Sequence, residues 1–569
     1  YSDEKVSLRG GATDAYAMIG HGGRSHTGNH GSDGDLVVVV AMDGVEMLGG
    51  TGSRSFVQIG HGGSGSNGTL TGDVLVNFNP LTGTPFGGGH IDVRGGSGTE
   101  AFAQIGLGGM LNGSQVGSTV VYGESVSLQV GTGTTAYSRI GAGGGVNNSA
   151  AVTGTTIVGA SAGGVSVSAA NGGGNAYAQI GAGGLGGDGA VASGATSVLA
   201  TGAVELIAGG GTNASAVIGA GGAGRDGNKD AAVEVSGSSI TLRAGGSAAA
   251  YAQIGSGGGL TNSHNASSGH VSGAVSVSAT SGNVTLDAAG HRSYAQIGHG
   301  GLDFSGNVTG DLHLISAADF LVDGGTTANA YAMVGHGGIT EAAAYAGGTR
   351  QGDVLLRVAG TTRLADNAST SFLGHLGAGG TVADSRFALV TAYLDVAASA
   401  LGMVGDMLNG GSVEIGVTQG DLSYRGFAPG FHSAHHMDLF AAGNVEIPGL
   451  VQNGGTGDVN VVAGWDGGTG LVENVHPGAF PLIDELRLDV AAVAGDSSAW
   501  GNGGGSVLLG DGTQTSAVAV GSAGGGTNLW SHGLALRGSD TTMGGSVQIG
   551  YRSAGVAGAG DIAIEFLSS

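Results

Sequence analysis

The sequence predicts an all-β fold, a parallel β-helix (β-solenoid) built from repeats of about 40 residues. Three observations lead to this prediction. A motif of the form Tyr-Ala-Gln-Ile-Gly-His-Gly-Gly recurs along most of the chain. Each repeat contains three short runs of apolar residues, which is typical of β-strands. Glycine supplies 126 of the 569 residues and proline only 6, which favours ordered strands joined by many turns and, without a Gly-X-Y period, excludes collagen.

The repeat has ten copies, each centred on one branched apolar residue. The spacing between copies varies between roughly 35 and 46 residues while the central motif is kept, as is usual when a solenoid retains its strands and varies its loops. The ten predicted centres are Ile19, Ile59, Ile105, Ile140, Ile180, Ile218, Ile254, Ile297, Val334 and Leu376.

Within one repeat, three apolar runs predict three strands joined by turns rich in Gly, Ser, Thr and Asn. In the second repeat these runs are 35–40, 45–48 and 56–59. Each repeat is then one coil of a three-sided helix, stacked about 4.8 Å above the preceding coil. Two smaller coils per repeat, or another order of the sheets, stay open at this point.

The strict motif ends near residue 381, and this divides the chain into three parts. Residues 1–380 are predicted to form regular coils. Residues 381–500 hold four of the six prolines and are predicted to be an irregular β-rich continuation, with a helical patch around 390–408. Residues 501–569 again carry strand-like segments and are predicted to resume the coils.

Alternation along the repeat strand assigns one of its sides to the core and the other to two ladders of like residues. Ala17 and Ile19 exemplify the small and branched residues expected in the narrow interior. Five glutamines follow one another on the opposite side: Gln58, Gln104, Gln179, Gln253 and Gln296. An aromatic ladder accompanies them: Tyr16, Phe56, Phe102, Tyr137, Tyr177, Tyr251, Tyr294 and Tyr331, with Ser215 and Leu373 at the two copies that break it. Stacked like residues stabilise solenoids through side-chain hydrogen bonds and ring stacking.

The aromatic ladder has two interpretations. If the rings are exposed, about 4.8 Å apart, they could stack sugars or pack against a neighbouring fibre. If loops cover them, they form a second hydrophobic layer. We favour burial, because eight exposed aromatic rings in line would aggregate a monomer. Self-association would reconcile the two interpretations, because the ladder would then become an interface.

Charge and composition restrict the partners. The chain has 42 acidic and 18 basic residues and a formal net charge of −24, so its surface repels nucleic acid and anionic lipid. No apolar stretch approaches the roughly 18–20 residues of a membrane span. The chain has no cysteine, which excludes disulfides, thiol catalysis and cysteine metal sites. It opens with Tyr1 and shows no signal peptide, so we expect a processed product or an internal segment.

Histidines suggest two candidate metal sites. Most copies lack histidine in the Ile-Gly-His-Gly-Gly turn, so we interpret the turn histidines as hydrogen-bonded residues rather than as metal ligands. This turn position holds His21, His61, His299 and His336, and elsewhere Leu107, Ala142, Ala182, Ala220, Ser256 and Ala378. The second candidate is a cluster of His432, His435, His436 and Asp438, whose donor set suits a transition metal, although polar loop residues ordinarily face solvent.

Acidic residues that begin strands after a glycine are the candidates for calcium: Asp35, Asp73, Asp311, Asp353, Asp421, Asp458 and Asp561. Repeat-type calcium proteins use Gly-Gly-x-Gly-x-Asp nonapeptides, and these are not repeated in this sequence. We therefore expect these carboxylates to bond nearby backbone, with incidental Ca²⁺ binding at most and no cofactor.

Catalysis is the remaining class of function. A parallel β-helix that cleaves polysaccharide needs clustered carboxylates with a basic partner on one outer face. The 18 basic residues are scattered, and we propose no catalytic residue. The prediction is a protein that is not an enzyme, with a carbohydrate-binding or polysaccharide-degrading β-helix as the alternative.

The recurrent repeat, the Gly-Asp-Val strand starts and the stretch Val-Ala-Gly-Trp-Asp-Gly at 462–467 resemble filamentous-haemagglutinin-like exoproteins. These belong to the two-partner secretion class of Gram-negative bacteria. The resemblance implies a right-handed parallel β-helix, export through an outer-membrane secretion partner, and an extracellular or cell-surface role as an adhesin, surface filament or biofilm matrix protein. The chain departs from the family in lacking an Asn-Pro-Asn secretion signature, since its one Asn-Pro, Asn79-Pro80, is followed by Leu81. We expect it to lie downstream of that domain.

The expected partners follow from the resemblance and from the repeat together. The main expected partner is the protein itself, joined head-to-tail or laterally into a homopolymer, since an open solenoid has unpaired strand edges at both ends. Surface glycans and host or neighbouring cells are further expected partners.

Overall fold

The computed structural model of the protein describes residues 1–111, 113–146, 150–185, 191–222, 227–258, 269–339, 347–365, 370–377, 381–383, 385–396, 411–423, 435–501, 504–510, 518–538, 546–549 and 561–566. These residues form a parallel β-helix, as the sequence predicts. Strands of successive coils pair in parallel, and only two hairpins among the described residues pair antiparallel. A regular coil contains three longer strands, which we call faces 1, 2 and 3, and two shorter strands that the sequence did not reveal.

Face 1 runs through the whole described chain and joins the three predicted parts into one helix. Many of its strands begin one or two residues after a glycine, and they place alternate Val, Ile and Leu residues inward. They are Leu36–Val39, Asp73–Val76, Thr119–Gly123, Thr156–Ala160, Thr196–Ala200, Val233–Gly237, Val275–Ala279, Leu312–Ser316, Val354–Leu364, Phe387–Val396, Val413–Val417, Met437–Ala441, Val459–Ala463, Thr527–Ser531 and Ile562–Phe566.

Face 2 follows face 1 after a tight turn. Its strands are Val6–Arg9, Gly44–Leu48, His90–Arg94, Val126–Gln129, Val165–Ser168, Val204–Ile207, Ile240–Ala244, Val284–Ala288 and Phe320–Asp323. In two coils the turn straightens, and Val354–Leu364 and Phe387–Val396 each serve both faces. Beyond them a smaller sheet takes the same place in the coil, with strands Leu422–Ser423, Val445–Ile447, Ser506–Leu509 and Gly533–Leu536.

Face 3 is the repeat motif itself. Its strands are Tyr16–Ile19, Phe56–Ile59, Phe102–Ile105, Tyr137–Ile140, Tyr177–Ile180, Ser215–Ile218, Tyr251–Ile254, Tyr294–Ile297, Tyr331–Val334 and Thr370–Leu373. Equivalent motif residues pair directly, for example Phe56 with Phe102 and Ile59 with Ile105. In the later coils a three-stranded sheet, Leu450–Asn453, Val518–Ser522 and Val547–Ile549, takes the same place.

Two short ladders complete each regular coil. The glycine ladder follows the motif and comprises Gly22–Arg24, Gly62–Ser66, Gly108–Leu111, Gly143–Val146 and Gly183–Leu185, with Gly337–Gly338 and Leu376–Gly377 in later coils. The corner ladder leads into face 1 and comprises Leu70–Thr71, Gln115–Val116, Val152–Thr153, Ala192–Ser193, Lys229–Asp230, Val271–Ser272, Val308–Thr309, Thr349–Gln351 and Thr381–Ala383. These pieces lie in the Gly-rich stretches that the sequence presented only as turns.

The core is one continuous interior column of Val, Ile, Leu and Ala from all three faces. Outside it, the described part of the irregular region adds a hairpin, Leu471–His476 with Leu482–Leu488, and two short helices, Val490–Ala494 and Ser498–Gly501. A second small hairpin, Phe78–Asn79 with Thr84–Pro85, lies on the early coils. These insertions interrupt the repeat in sequence without interrupting face 1.

Two expectations are corrected by the strand pairing. The tenth copy is centred on Leu373, which pairs with Val334, whereas Leu376 pairs with Gly337 in the glycine ladder. The sequence contains two Leu-Gly pairs in tandem here, and only the coil register separates them. Residues 390–396 of the expected helical patch are strand, because their alternating residues extend faces 1 and 2, and 397–408 lie outside the described residues.

Candidate functional site

The aromatic ladder lies on the outer side of face 3 and forms two stacks of rings. The ring centroids of Tyr16 and Phe56 are 4.8 Å apart with an interplanar angle of 2°, and those of Tyr294 and Tyr331 are 5.0 Å apart at 4°. The stack consists of five rings from Tyr16 to Tyr177 and three rings from Tyr251 to Tyr331, with Ser215 between them. In the tenth copy Thr370, and not Leu373, occupies the ring position.

Seven of the eight rings are buried, and only Tyr16 is exposed, at 48%. The glycine ladder passes directly over the ring tips. A Cβ atom on Gly301 would lie 2.6 Å from the Tyr294 hydroxyl oxygen, and one on Gly144 would lie 2.9 Å from that of Tyr137. The last glycine of the motif is therefore required by the ring seven residues before it. Together with neighbouring Leu, Val and Met side chains, the rings form a second hydrophobic layer outside the core.

The motif glutamines tie each coil to the next. The Nε2 of Gln58 donates to the carbonyl oxygens of Gly106 and Gly108 in the following coil, at 3.1 and 3.2 Å. Gln253 does the same to Gly298 and Gly300, at 3.0 and 3.1 Å. The amides thus bond backbone rather than one another. Since both carbonyls belong to the Gly-x-Gly turn, this clamp explains why glutamine and the two glycines recur together.

Five of the ten copies have another residue at the glutamine position of this clamp: Met18, Arg139, Val217, Met333 and Phe372. Arg139 is fully buried and donates through its guanidinium to the carbonyls of Ala142, Gly181 and Gly183. Burial lowers the pKa of Arg139 because it penalises the charged form. Val217 and Met333 occupy the equivalent place with apolar side chains and pack into the aromatic layer instead.

The turn histidines form a second stack. The rings of His299 and His336 lie 5.0 Å apart, and those of His336 and His375 lie 4.7 Å apart. His375 was missed by the sequence reasoning, which had placed Ala378 at this position; the corrected register supplies it. His21 and His61 form an equivalent pair at 5.1 Å in the first two coils.

Each ladder histidine of the later coils makes two hydrogen bonds that fix its tautomer. The Nδ1 of His336 accepts the backbone N–H of His299 at 3.0 Å, and the Nδ1 of His375 accepts that of His336 at 3.0 Å. Nε2 therefore carries the proton, and in His299 and His336 it donates to the carbonyls of Gly273 and Gly310. Both nitrogens of these rings are hydrogen-bonded, as the sequence predicted, and the bonds accepted by Nδ1 link neighbouring coils.

Burial sets the charge state of this ladder. The pKa of His299 and that of His375 are each lowered to about 4, because desolvation disfavours the imidazolium ion. The pKa of His336 is lowered well below its usual value for the same reason, with further repulsion from His375. The rings are therefore neutral at physiological pH, as their acceptor Nδ1 requires.

The acidic strand starts also act between coils. Asp73 accepts the backbone N–H of Ser118 at 2.7 Å, and Asp458 accepts that of Gly526 at 2.6 Å. The same bond joins Asp311 to the N–H of Asp353 at 2.9 Å. Bonding to backbone was predicted, but the donor belongs to the next coil. Asp35 is an exception, since it accepts the local Ser32 N–H.

The predicted histidine cluster is assembled only in part. His436 Nε2 lies 3.5 Å from Asp438 Oδ2 and 3.6 Å from Glu414 Oε1. Glu414 was not predicted. Only the strand register brings it close to Asp438, because the two residues pair across adjacent face 1 strands. His435 is exposed and its carbonyl accepts from Asn453, while His432 lies outside the described residues.

Both carboxylates of this cluster are buried, and the large hairpin covers Glu414. Glu414 Oε2 accepts the N–H of Leu488 at 2.6 Å, and Asp438 Oδ1 accepts from Asn460 at 2.7 Å. Burial raises the pKa of Asp438 to about 7, against the opposing effect of His436. The pKa of His436 is raised, chiefly by its hydrogen bond with Glu414. Among the described residues no group of three or more His, Asp or Glu is arranged to hold a metal ion.

The fold and the ladders define the class of the protein, a repeat β-helix whose coils are linked by buried glutamine, histidine and aromatic ladders. Comparisons with protein-family models, with curated proteins and with solved structures found no match to the chain. In the part of the chain that the structure describes, no helix has the length and hydrophobicity needed to cross a membrane.

Proposed function

We propose that the protein is a non-catalytic structural subunit of an extracellular fibre: a bacterial surface filament or matrix, or the shaft of an adhesin. The observation that carries this proposal is the linkage of successive coils. Every regular coil is joined to the next by parallel strand pairing, and many coils add a buried side-chain link. Such a stack is built for length and stiffness.

The dimensions support a rod. Face 1 contains 15 described strands, and coils repeat at the ring spacing of 4.8 Å. Face 1 is therefore roughly 70 Å long. Because the core, the aromatic layer and the ladders run along this axis, bending the rod would open many contacts at once.

The chemistry of the repeated polar residues supports a structural role. Gln58, His336 and Asp458, one from each kind of link, direct their polar atoms to the backbone of a neighbouring coil. Repetition of these residues thus serves stacking. Glu414 and Asp438 are almost fully buried, and the hairpin covers Glu414, so this pair is poorly placed to reach a polymeric substrate.

The proposed location and partners follow from the resemblance to filamentous-haemagglutinin-like exoproteins. The absence of cysteine from the chain is compatible with this location. We infer secretion through an outer-membrane partner and assembly of the protein with itself. Adhesion to surface glycans or to neighbouring cells would be the role of the finished fibre.

The test is electron microscopy of the native protein, purified without denaturant, over a range of concentrations. We expect rods of about the length of face 1, roughly 70 Å, which associate into uniform filaments as the concentration rises. Small-angle X-ray scattering on the same samples measures the rod cross-section and excludes grid artefacts. Compact particles would overturn the rod, and rods that stay single at every concentration would overturn the filament and leave the adhesin shaft.

A further inference from the structure

We propose that two copies of the protein pair side by side through the outer surface of face 2, in register and with both rods pointing the same way. The inference rests on the proposed fibre and names a lateral contact within it. Three observations carry it. The outward side chains of face 2 stay exposed along its described length, its coils are barely rotated against one another, and its charges complement one another when the face is turned onto a second copy.

Face 2 differs from the other two faces in what lies outside it. On face 3 the glycine ladder passes over the rings, and the outward residues Phe102 and Gln104 are fully buried. On face 1 the outward residues Leu355 and Phe440 are 2% and 0% exposed, because the large hairpin and the two helices pack over them. On face 2 the outward side chains are half-exposed or exposed in every described strand from Gly44–Leu48 onward.

These outward side chains form two columns that run along the rod. The first column consists of Glu46, Asp92, Ser127, Ser166, Glu205, Thr241, Thr285 and Leu321, and the second of Leu48, Arg94, Gln129, Ser168, Ile207, Arg243, Asp287 and Asp323. With the two strands that serve both faces, ten strands about 4.8 Å apart and about 13 Å wide give roughly 600 Å² per copy. A pair would bury roughly 1,200 Å², which lies at the lower end of the range for specific interfaces.

The rod is nearly untwisted. Stacked rings of successive coils are tilted by only 6° and 3° at the pairs beginning with Phe56 and Phe102, and by 7° and 4° at those beginning with Tyr251 and Tyr294. Strands of an ordinary sheet turn by roughly 20–25° from one to the next. Face 2 therefore presents one almost flat strip, on which a second strip can lie over many coils.

The middle of this strip is electrically balanced, in a chain whose formal net charge is −24. Over the five strands from His90–Arg94 to Ile240–Ala244, the two columns hold two carboxylates, Asp92 and Glu205, and two guanidinium groups, Arg94 and Arg243. The other six residues are uncharged, and five of them are Ser, Thr or Gln. A second copy is therefore not repelled at this strip as it is by the acidic remainder of the surface.

A two-fold axis parallel to the rod brings two such strips together. It reverses the strand direction and keeps the rod direction, so each first-column residue faces the second-column residue of the same coil in the other copy. Asp92 of each copy then faces Arg94 of the other. Within one chain Arg94 Nη2 already lies 2.6 Å from Asp92 Oδ2, so the contact forms a ring of four alternating charges.

The other coils match under the same operation. Side chains that can hydrogen-bond face each other in four of them: Ser127 and Gln129, Ser166 and Ser168, Thr241 and Arg243, Thr285 and Asp287. In three further coils a carboxylate faces an apolar residue: Glu46 and Leu48, Glu205 and Ile207, Asp323 and Leu321.

Each of these three carboxylates has a guanidinium of the other copy one coil, about 4.8 Å, from the apolar residue that it faces. These guanidinium groups are Arg94 beside Leu48, Arg243 beside Ile207 and Arg363 beside Leu321. Like charges face each other in none of the eight coils from Gly44–Leu48 to Phe320–Asp323. The strip is thus complementary to itself in this one register, which is what a closed pair of identical chains requires.

Charge reversal at residues 92 and 94 tests both the pairing and its direction. Asp92→Arg and Arg94→Asp each make like charges face each other, so each variant alone should associate at least about tenfold more weakly than the wild type in sedimentation velocity. An equimolar mixture of the two should recover association to within about threefold, because each carboxylate of one variant then faces a guanidinium of the other. Antiparallel rods would not give this recovery, since residues 92 and 94 would then face other coils.

The chain offers a matched control. Asp230→Arg makes the same change in charge at an exposed position of the corner ladder, so it should associate like the wild type and should not rescue Arg94→Asp in a mixture. Circular dichroism spectra equal to that of the wild type establish that the variants are folded. Small-angle X-ray scattering of the wild type should show pairs as long as one rod but with a larger cross-section, because the copies lie in register.

The outcomes separate the interface from the fibre. Folded single variants that associate as the wild type does would overturn pairing through face 2 and leave the proposed fibre standing on other contacts. Two weakened variants whose mixture does not recover would overturn the parallel register. Wild-type rods that stay single at every concentration would overturn the pairing together with the filament, whereas compact particles would overturn the rod itself.

Discussion

Acidification should weaken the histidine ladder formed by His299, His336 and His375. In the folded protein the pKa of His299 and of His375 is lowered to about 4 by burial, and protonation of Nδ1 would also break the bond that each ring accepts from the preceding coil. In the unfolded chain an imidazole titrates near about 6.5. Between these values the unfolded state binds more protons, so the free energy of unfolding falls as the pH drops from about 6.5 to about 4 and levels off below.

The expected size follows from the two pKa values. Between about pH 7.5 and about pH 5, each of these histidines lowers the free energy of unfolding by about 2 kcal/mol, and the two together lower it by about 4 kcal/mol. Asp438 acts in the opposite direction: its pKa, raised to about 7 by burial, contributes stability that is present at low pH and lost as the pH rises through 7. A pH titration of the wild type alone would mix the two effects.

A double variant, His299→Ser with His375→Ser, isolates the histidines because Asp438 titrates in both proteins. Serine is the matched replacement, since Ser256 at the same position accepts the N–H of Ala220 at 3.1 Å. Urea unfolding at about pH 7.5 and about pH 5 should show the stability advantage of the wild type shrinking by about 4 kcal/mol at the lower pH. Val334→Ala, a core variant in the face 3 strand just before His336, controls for general destabilisation and should lower the free energy of unfolding equally at both pH values.

An advantage of the wild type that is equal at both pH values would refute the reasoning. It would mean that the rings are not held as neutral acceptors in the folded state. Hydrogen–deuterium exchange of the amides at 299 and 336, which the ladder protects, gives an independent local readout in case the repeat array does not unfold in one step.

The remaining predictions concern the glutamine clamp, the glycine ladder and the buried carboxylate. Gln253→Val should lower the free energy of unfolding by about 2–4 kcal/mol, because two buried carbonyls lose their donor. Val217→Gln should supply the donor that this copy lacks, so it should be neutral or stabilising in the same urea assay. Gly301→Ala should cost about 2–4 kcal/mol by thermal or urea unfolding, because its φ of +140° is strained for alanine and its Cβ would strike a ring, while exposed Gly246→Ala, with an open surround, should change little. As the pH rises from about 4 to about 7, the wild type should lose the stability that comes from the protonated Asp438, and Asp438→Asn should not show this loss. A variant whose free energy of unfolding depends on pH as that of the wild type does would contradict the assigned burial effect.

Sequence reasoning succeeded wherever the signal lies within one strand. The alternation of Ala17 and Ile19 against Tyr16 and Met18 shows which side of the motif faces the core, and the pairing confirms it. The parallel architecture also follows from the repeat alone, because identical units of this length can stack their like residues only in parallel register.

Local patterns did not reveal contacts between coils. Glutamine at Gln58 recurs with two glycines in sequence, but that its amide donates to Gly106 and Gly108 depends on how one coil lies on the next. The same holds for Glu414 and Asp438, which come from separate repeats and meet only because their strands pair.

The sequence by itself therefore determined the three longer strands of a regular coil, their inward residues and the stacking of like residues, since these depend on periodicity over a few residues. Tertiary structure alone decided that Leu373 rather than Leu376 continues face 3, that the glycine ladder buries the aromatic rings, and that the acidic strand starts bond the next coil. The physical reason is the loops. Their lengths vary from coil to coil, so the register between residues about 40 positions apart is set by packing and hydrogen bonding of whole coils and not by spacing along the chain.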